Sequence, residues 1–395
     1  MRRTNLDLGF LTCLSALSGG AFASACSGTH MTLSDAGAQP DAAVVVADDA
    51  HVVASPDAFA SPDAARTIEA EPLEQCLLGG GELVEVARVF NNDVEDHGAL
   101  VTFGVSDTGL LAAAGADGTL KFWTLDAELL GVVDGTLLTY GSEIVAPITD
   151  MTLSGDMVIA GDSRGLVAEI RADGSYLPRG GTTPDVAIAA VAYTVSSAGL
   201  ERIAHAQHAE GLLPLTVRNG ETVLELESGL SSIRDLAFAA DGSLWVAGAR
   251  AVGSEQLPAV EQRDAADPSS VLRTIEVGSR EGGTVIELST SLDGSTIAML
   301  TNERLEVHHA DGIRSIPFTG WAEIIGVGAA LSTGGEVAFT LESDGTLASH
   351  AVREERELAR IDVGGRPVAV RTDASNRLVV VGRSDAYLIA YACER

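Results

Sequence analysis

The chain has 395 residues, a formal charge of -31, 46% apolar residues and 43 glycines. That length suits one large all-β domain with appendages and is ample for a buried core. Acidity on this scale repels phosphate backbones and anionic headgroups, which argues against nucleic acid as a partner. Lys121 is the only lysine, so Schiff-base chemistry has a single candidate, inside a predicted strand.

At the amino terminus, Met1-Arg2-Arg3 precedes an uncharged, mainly apolar stretch from Leu8 to Phe22 that leads to Ala23-Ser24-Ala25-Cys26. Residues 1–25 have the layout of a bacterial secretory signal. Ala23 and Ala25 suit ordinary cleavage, while Cys26 at the new first position resembles the lipidated cysteine of a bacterial lipoprotein, with Ala23 where the usual lipobox has leucine. The expectation is lipid on Cys26, with a secreted soluble protein as the alternative. No later apolar segment is long and uncharged enough to span a bilayer, so membrane attachment would rest on the acyl chains alone. Ser27 after the cysteine resembles outer-membrane sorting in some bacteria. The chain is thus expected at the outer membrane, in the periplasm or on the cell surface.

Residues 26–75 are dominated by Ala, Asp, Ser and Pro, with Ser55-Pro56-Asp57-Ala58 echoed by Ser61-Pro62-Asp63-Ala64. Such a segment buries too little apolar surface to offset its ordering entropy. Nine acids against Arg66 extend it by self-repulsion. As a flexible chain it would span roughly 40 Å.

From His97 onward the chain repeats. Ala99 to Phe103 and Leu110 to Ala114 are strand-length apolar runs separated by Ser106-Asp107-Thr108-Gly109, and Asp117-Gly118-Thr119-Leu120-Lys121-Phe122-Trp123 reads as a tight turn opening a third strand. The turn between first and second strands recurs at Thr108, Gly155, Ala198, Asp241, Asp293, Gly334 and Ser375. The spacing averages about 44 residues, the period of a propeller blade. Segment 97–123 resembles one WD40-type blade, and the resemblance extends in looser copies from about Glu82 to Tyr391. It implies an all-β, seven-bladed propeller over residues 76–395. The last unit stops one strand short, and the alternating run Glu82 to Phe90 is expected to supply that strand and close the ring. Val352 to Ile361 is read as an outer strand with a polar hairpin leading into it.

The cysteines fit this closure. Cys13 would leave with the signal and Cys26 would carry lipid, so Cys76 and Cys393, at the two ends of the propeller, are expected to be disulfide-bonded.

Within the first unit, His97, Asp117 and Trp123 resemble the residues that tie strands together in a WD40 blade. The hydroxyl residue expected between them is absent, because the second strand reads Leu111-Ala112-Ala113-Ala114. A His-Asp pair suggests a catalytic dyad, but a nucleophile is also needed within reach, and a structural role is expected. The residues opening the third strands, Asp117, Arg164, Glu210, Asn302, Asp344 and Asp385, are expected to ring one face of the disc. They are candidates for a channel-face site that could take Ca²⁺. His205, His208, His308 and His309 are the remaining metal candidates, but neighbours on a strand point to opposite faces, which makes His308 and His309 poor co-ligands. Trp245 is expected in the core, and Trp321 in an inter-blade region. The fourth unit departs most from the repeat, through Ala249 to Glu255 and Arg263 to Glu281; extra length on a rigid scaffold is where binding function often resides.

These readings converge on a non-catalytic exported propeller lipoprotein that serves as a protein-binding platform, monomeric, with no cofactor required. The alternative is an exported propeller enzyme, such as a lactonase-like hydrolase with a metal in the central channel. A quinone-dependent dehydrogenase is a third possibility, without a repeated tryptophan-docking motif to support it.

Overall fold

The structure is a computed structural model that describes residues 71–90, 99–106, 108–133, 146–180, 186–196, 199–208, 214–277, 284–301, 303–309, 311–317, 326–385 and 387–395. The chain divides into two units, Met1–Asp49 and Ala50–Arg395, and all described residues belong to the second. The expected signal peptide, Cys26, most of the acidic segment, His97, Ala198, Glu210, Asn302 and Trp321 lie outside the described residues.

One helix, α1 (Leu73–Leu78), precedes β1 (Glu82–Phe90). Blade 1 is β2 (Leu100–Val105), β3 (Leu111–Gly115), β4 (Leu120–Trp123) and β5 (Leu129–Val133). Blade 2 is β6 (Ile148–Ser154), β7 (Met157–Asp162), β8 (Val167–Arg171) and β9 (Tyr176–Gly180). Blade 3 is β10 (Ile188–Val195), β11 (Glu201–Gln207), β12 (Pro214–Asn219) and β13 (Thr222–Glu227). Blade 4 is β14 (Ser232–Phe238), β15 (Leu244–Val252), β16 (Glu255–Arg263) and β17 (Val271–Glu276). Blade 5 is β18 (Glu287–Thr290), β19 (Ile297–Leu300), β20 (Arg304–His309) and β21 (Gly312–Pro317). Blade 6 is β22 (Gly326–Leu331), β23 (Val337–Glu342), β24 (Thr346–Ala351) and β25 (Arg356–Asp362). Blade 7 is β26 (Pro367–Thr372), β27 (Val379–Arg383) and β28 (Tyr387–Glu394), completed by β1 in the order β1-β28-β27-β26.

Each sheet is an antiparallel meander, and the core lies between neighbouring sheets rather than within one. The second strands are buried on both faces, which is why Leu111-Ala112-Ala113-Ala114, Ile297-Ala298-Met299-Leu300 and Val379-Val380-Val381 are continuous apolar runs. The outer strands alternate toward solvent, as in β13. Phe103 of blade 1 packs on blade 7 so closely that a Cβ at Gly382 would stand 2.5 Å from its ring, and this contact closes the circle. Six of the seven turns used as the ruler join first to second strands here; Ala198 lies outside the described residues. The seven-bladed fold, the strand Glu82–Phe90 and the outer strand after Val352 match the sequence reading. The third strands begin two to four residues later than expected in most blades; Asp117, Arg164, Asp344 and Asp385 belong to the preceding turns.

Closure is covalent. Cys76 and Cys393 form a disulfide with Cα atoms 5.9 Å apart across a separation of 317 residues. In the chain-entropy model a loop of that length contributes up to ~5 kcal/mol. Gly81 passes so near that a Cβ would meet the two sulfurs at 2.4 and 2.7 Å. Helix α1 is six residues long and begins before the expected domain boundary, so Leu73 to Gln75 are part of the folded body rather than of the acidic segment. Leu73 and Leu77 are buried against blades 6 and 7. The Leu73 N–H donates to Asn376 O at 2.7 Å, and Glu74 Oε1 accepts from Ser332 Oγ at 2.5 Å and from the Glu336 N–H at 3.2 Å. Both contacts are with turns between first and second strands, so the helix sits on that face of the disc.

Candidate functional site

The meander order makes the first strand of every blade innermost, so β2, β6, β10, β14, β18, β22 and β26 surround the central channel. An innermost strand is the edge of its sheet, and its channel-side N–H groups need acceptors from elsewhere. The neighbouring blade supplies them. Asp150 Oδ2 accepts the Val191 N–H at 2.8 Å, Asp235 Oδ2 accepts the Leu288 N–H at 2.6 Å, and Glu287 Oε2 accepts the Ala329 N–H at 2.6 Å. Ser289 Oγ accepts the Leu331 N–H at 2.9 Å, and the Thr372 hydroxyl donates to Leu331 O at 2.7 Å. Each bond spans from one blade to the next.

A β-bulge near the start of six innermost strands aims these groups. The register shifts at Ile148/Asp150 and Ile233/Asp235, so the acid follows directly after the extra residue. Glu287, the first residue of β18, makes the same kind of bond without a bulge of its own. Arg371 of β26 completes the group by pairing with Glu287.

The channel is a cavity of about 390 Å³. Its lining includes Asp150, Asp235, Arg371, Thr152, Thr194 and Thr290, and toward one face the turns around Ala240, Leu292, Thr333 and Ala374. Burial, and after it the charge of Asp235, push the Asp150 carboxyl up to about 7 against the opposing pull of the Val191 N–H and Arg371. Burial raises Asp235 as well, opposed by Arg371 and by the N–H groups of Leu288 and Leu236. The two acids are half-buried at the channel wall, and the loss of solvent there outweighs their hydrogen bonds.

The third-strand residues singled out in the sequence are placed elsewhere. Asp117, Arg164, Asp344 and Asp385 occupy turns between second and third strands, and none of them lines the cavity. They serve turn geometry: Asp117 Oδ1 accepts from Thr119 N–H at 3.0 Å and Oγ1 at 2.8 Å, and Asp344 Oδ1 accepts the Thr346 N–H at 2.9 Å. The Arg164 N–H donates to Asp162 Oδ1 at 2.9 Å, and Asp385 pairs with Arg383.

The histidines do not converge. His205 is buried and pushed down to about 4, chiefly by desolvation. His308 Nε2 lies 2.7 Å from Glu306 Oε1, while His309 Nδ1 accepts the Asp311 N–H at 3.2 Å. Among the described residues no group of three or more His, Cys, Asp or Glu is placed to hold a metal ion. Trp245 is fully buried in the blade 4–blade 5 core, with the Arg273 guanidinium 4.9 Å from its ring centre.

Blade 4 carries the second feature. Strands β15 and β16 are nine residues each, longer than the central strands of the other blades, and pair through to Val252↔Glu255. The lateral pairing stops earlier: β14 reaches only Ala249, and β17 begins at Ala259. Arg250 to Gln256 are all exposed, so this hairpin stands about 10 Å clear of the sheet that carries it. Its two-residue turn, Gly253-Ser254 with Gly253 at φ 65°, has the glycine that a type II′ hairpin needs first. The Arg263 to Glu281 segment is less irregular than its length implied, because it contains β17. Its loop is held by the buried Arg263, which donates to Pro268 O at 3.0 Å, Glu227 O at 2.8 Å and Glu261 Oε2 at 2.9 Å.

No protein-family model matches the chain, and no curated protein is detectably similar to it. Its class is given by the fold: a seven-bladed β-propeller with disulfide-locked closure.

Proposed function

We propose that this chain is a non-catalytic propeller that binds a protein partner at the bacterial cell envelope, presented there by lipid on Cys26. The observation that carries the reading is the blade 4 hairpin, Arg250 to Gln256, free of lateral pairing on the face opposite α1. The opposition follows from the turns. Blade 4's first turn is joined to that of blade 5 by Ala240 N–H to Leu292 O at 3.2 Å, and blade 5's to blade 6's by Leu292 N–H to Thr333 O at 2.7 Å. Helix α1 sits on that same set of turns, while the hairpin lies between second and third strands, at the other end of the meander. The chain therefore reaches the propeller from one face and offers, among the described residues, its longest projecting hairpin on the other. A rigid ring with one exposed arm loses little conformational entropy on binding.

The test is to extract the native protein in mild detergent, weigh the intact particle and identify what it retains. A stoichiometric protein partner, lost when residues 250–256 are shortened to a tight turn, is the expected result. A lone chain carrying a metal or small molecule at stoichiometry would replace this reading with the hydrolase one.

A further inference from the structure

The channel has chemistry that a purely structural hub does not need. A ring of threonines and serines would satisfy the edge N–H groups at less desolvation cost, as Ser289 does for Leu331. Instead, two carboxylates from blades 2 and 4, each held by a backbone N–H of the next blade, line one cavity. Arg371 favours the ionised form of both, but it is paired with Glu287, so one positive charge faces three carboxylates. With all four groups ionised the channel is net negative. Each acid is pinned by an N–H of the next blade, so neither swings away to relieve the repulsion.

The walls between these acids and the turn face are lightly polar, built from Thr152, Ala237, Ser289 and Ala330, and Leu292 stands 61% exposed beside the opening. A volume of about 390 Å³ is at the small end for ligand sites. A hard metal cation needs several converging oxygens, and the acids do not provide such a set among the described residues. A primary ammonium needs only one or two acceptors, and its alkyl stem packs on apolar lining such as Ala237, Ala330 and Leu292.

We infer that the central channel is a binding site for a linear aliphatic amine, with an ammonium group between Asp150 and Asp235 and the chain running toward the turns around Leu292. An ammonium there adds a second positive charge to the single one, Arg371, that faces the three carboxylates. The site is independent of the blade 4 hairpin and of any protein partner.

Spermidine is the probe, titrated calorimetrically into the mature full chain at near-physiological salt. One saturable site per chain is expected, at least tenfold weaker in the Asp150→Asn/Asp235→Asn double variant, whose amide oxygens still accept the two backbone N–H bonds. Glu225→Gln, an exposed acid on β13, should leave binding unchanged, as should shortening the hairpin. Thr290→Phe narrows the cavity without touching either acid and should also abolish the site, which keeps the test decisive if the double variant does not fold. No saturable binding, many weak sites typical of surface counter-ions, or equal affinity in the wild type and the channel variants would each overturn the proposal.

Discussion

Glu74 and Ser332 stand 258 residues apart in sequence and share a hydrogen bond of 2.5 Å between carboxylate and hydroxyl. The same carboxylate fills the space beside Gly334, where a Cβ would meet its oxygens at 2.5 and 2.7 Å. Glu74→Ala removes the acceptor for both Ser332 and the Glu336 N–H, at a cost of about 1–3 kcal/mol. The measurable outcome is faster proteolytic cleavage around residues 71–78, with the rest of the ring intact.

Replacing Cys76 and Cys393 by serine should lower stability by about 2–5 kcal/mol. Gly81→Ala should do part of the same damage with both cysteines present, because its methyl group displaces the sulfurs; about 1–3 kcal/mol is expected. Denaturant unfolding measures both, and non-reducing peptide mapping should recover the Cys76–Cys393 pair. Free thiols at both positions would contradict the closure described above.

Asp150 predicts a pH dependence of definite sign. An unfolded aspartate ionises near ~3.9, whereas folded Asp150 holds its proton up to about 7. Between those values the folded state binds more protons, so its contribution to stability is full at the acid end and is lost as pH rises through 7. In Asp150→Asn that term is absent. Relative to wild type, the variant should therefore gain stability from acid to neutral pH, by about 2–4 kcal/mol in total. Parallel curves for the two proteins would show that Asp150 does not titrate in this range.

Arg263 is 1% exposed and is bonded to Glu261 and to two carbonyl oxygens. Arg263→Leu leaves Glu261 charged in the interior and should cost about 3–5 kcal/mol. Adding Glu261→Leu should recover part of that loss, since the abandoned charge accounts for much of it. A double-mutant cycle on thermal unfolding reads the coupling directly.

Cys26→Ser tests the proposed anchor. Release of the protein from the membrane fraction is expected. Continued attachment would remove the lipoprotein reading while leaving the propeller untouched.

How far the sequence carried depends on what breaks its periodicity. The turns at Asp241, Asp293 and Ser375 are visible because Gly, Asp and Ser are chosen for turn geometry, and Glu82–Phe90 is visible because it alternates with no blade before it. Asp150 and Asp235 were harder to place, since the bulge residues Thr149 and Arg234 shift the alternation by one and send the acid to the other face in a period-two reading. The signal was nonetheless present. Ile148-Thr149-Asp150-Met151, Ile233-Arg234-Asp235-Leu236 and Val285-Ile286-Glu287-Leu288 share an apolar-x-acid-apolar opening. Helix α1 was hidden for a different reason: six residues after Pro72 are too short to show a helical period, and composition alone joined them to the acidic segment.

The position of the disulfide also sets how the molecule bears tension. A pull on the chain at Glu71 reaches Cys76 before it reaches β1, and crosses there into Cys393 on β28. Without that bond the load would fall on β1, an outer strand held by a single hydrogen-bonded ladder, which would peel from its free end one pair at a time. With it, the load enters a strand flanked by β27 on one side and β1 on the other. The ring is thus hitched at its own seam, and the strand that completes its last blade is shielded from being the first to leave.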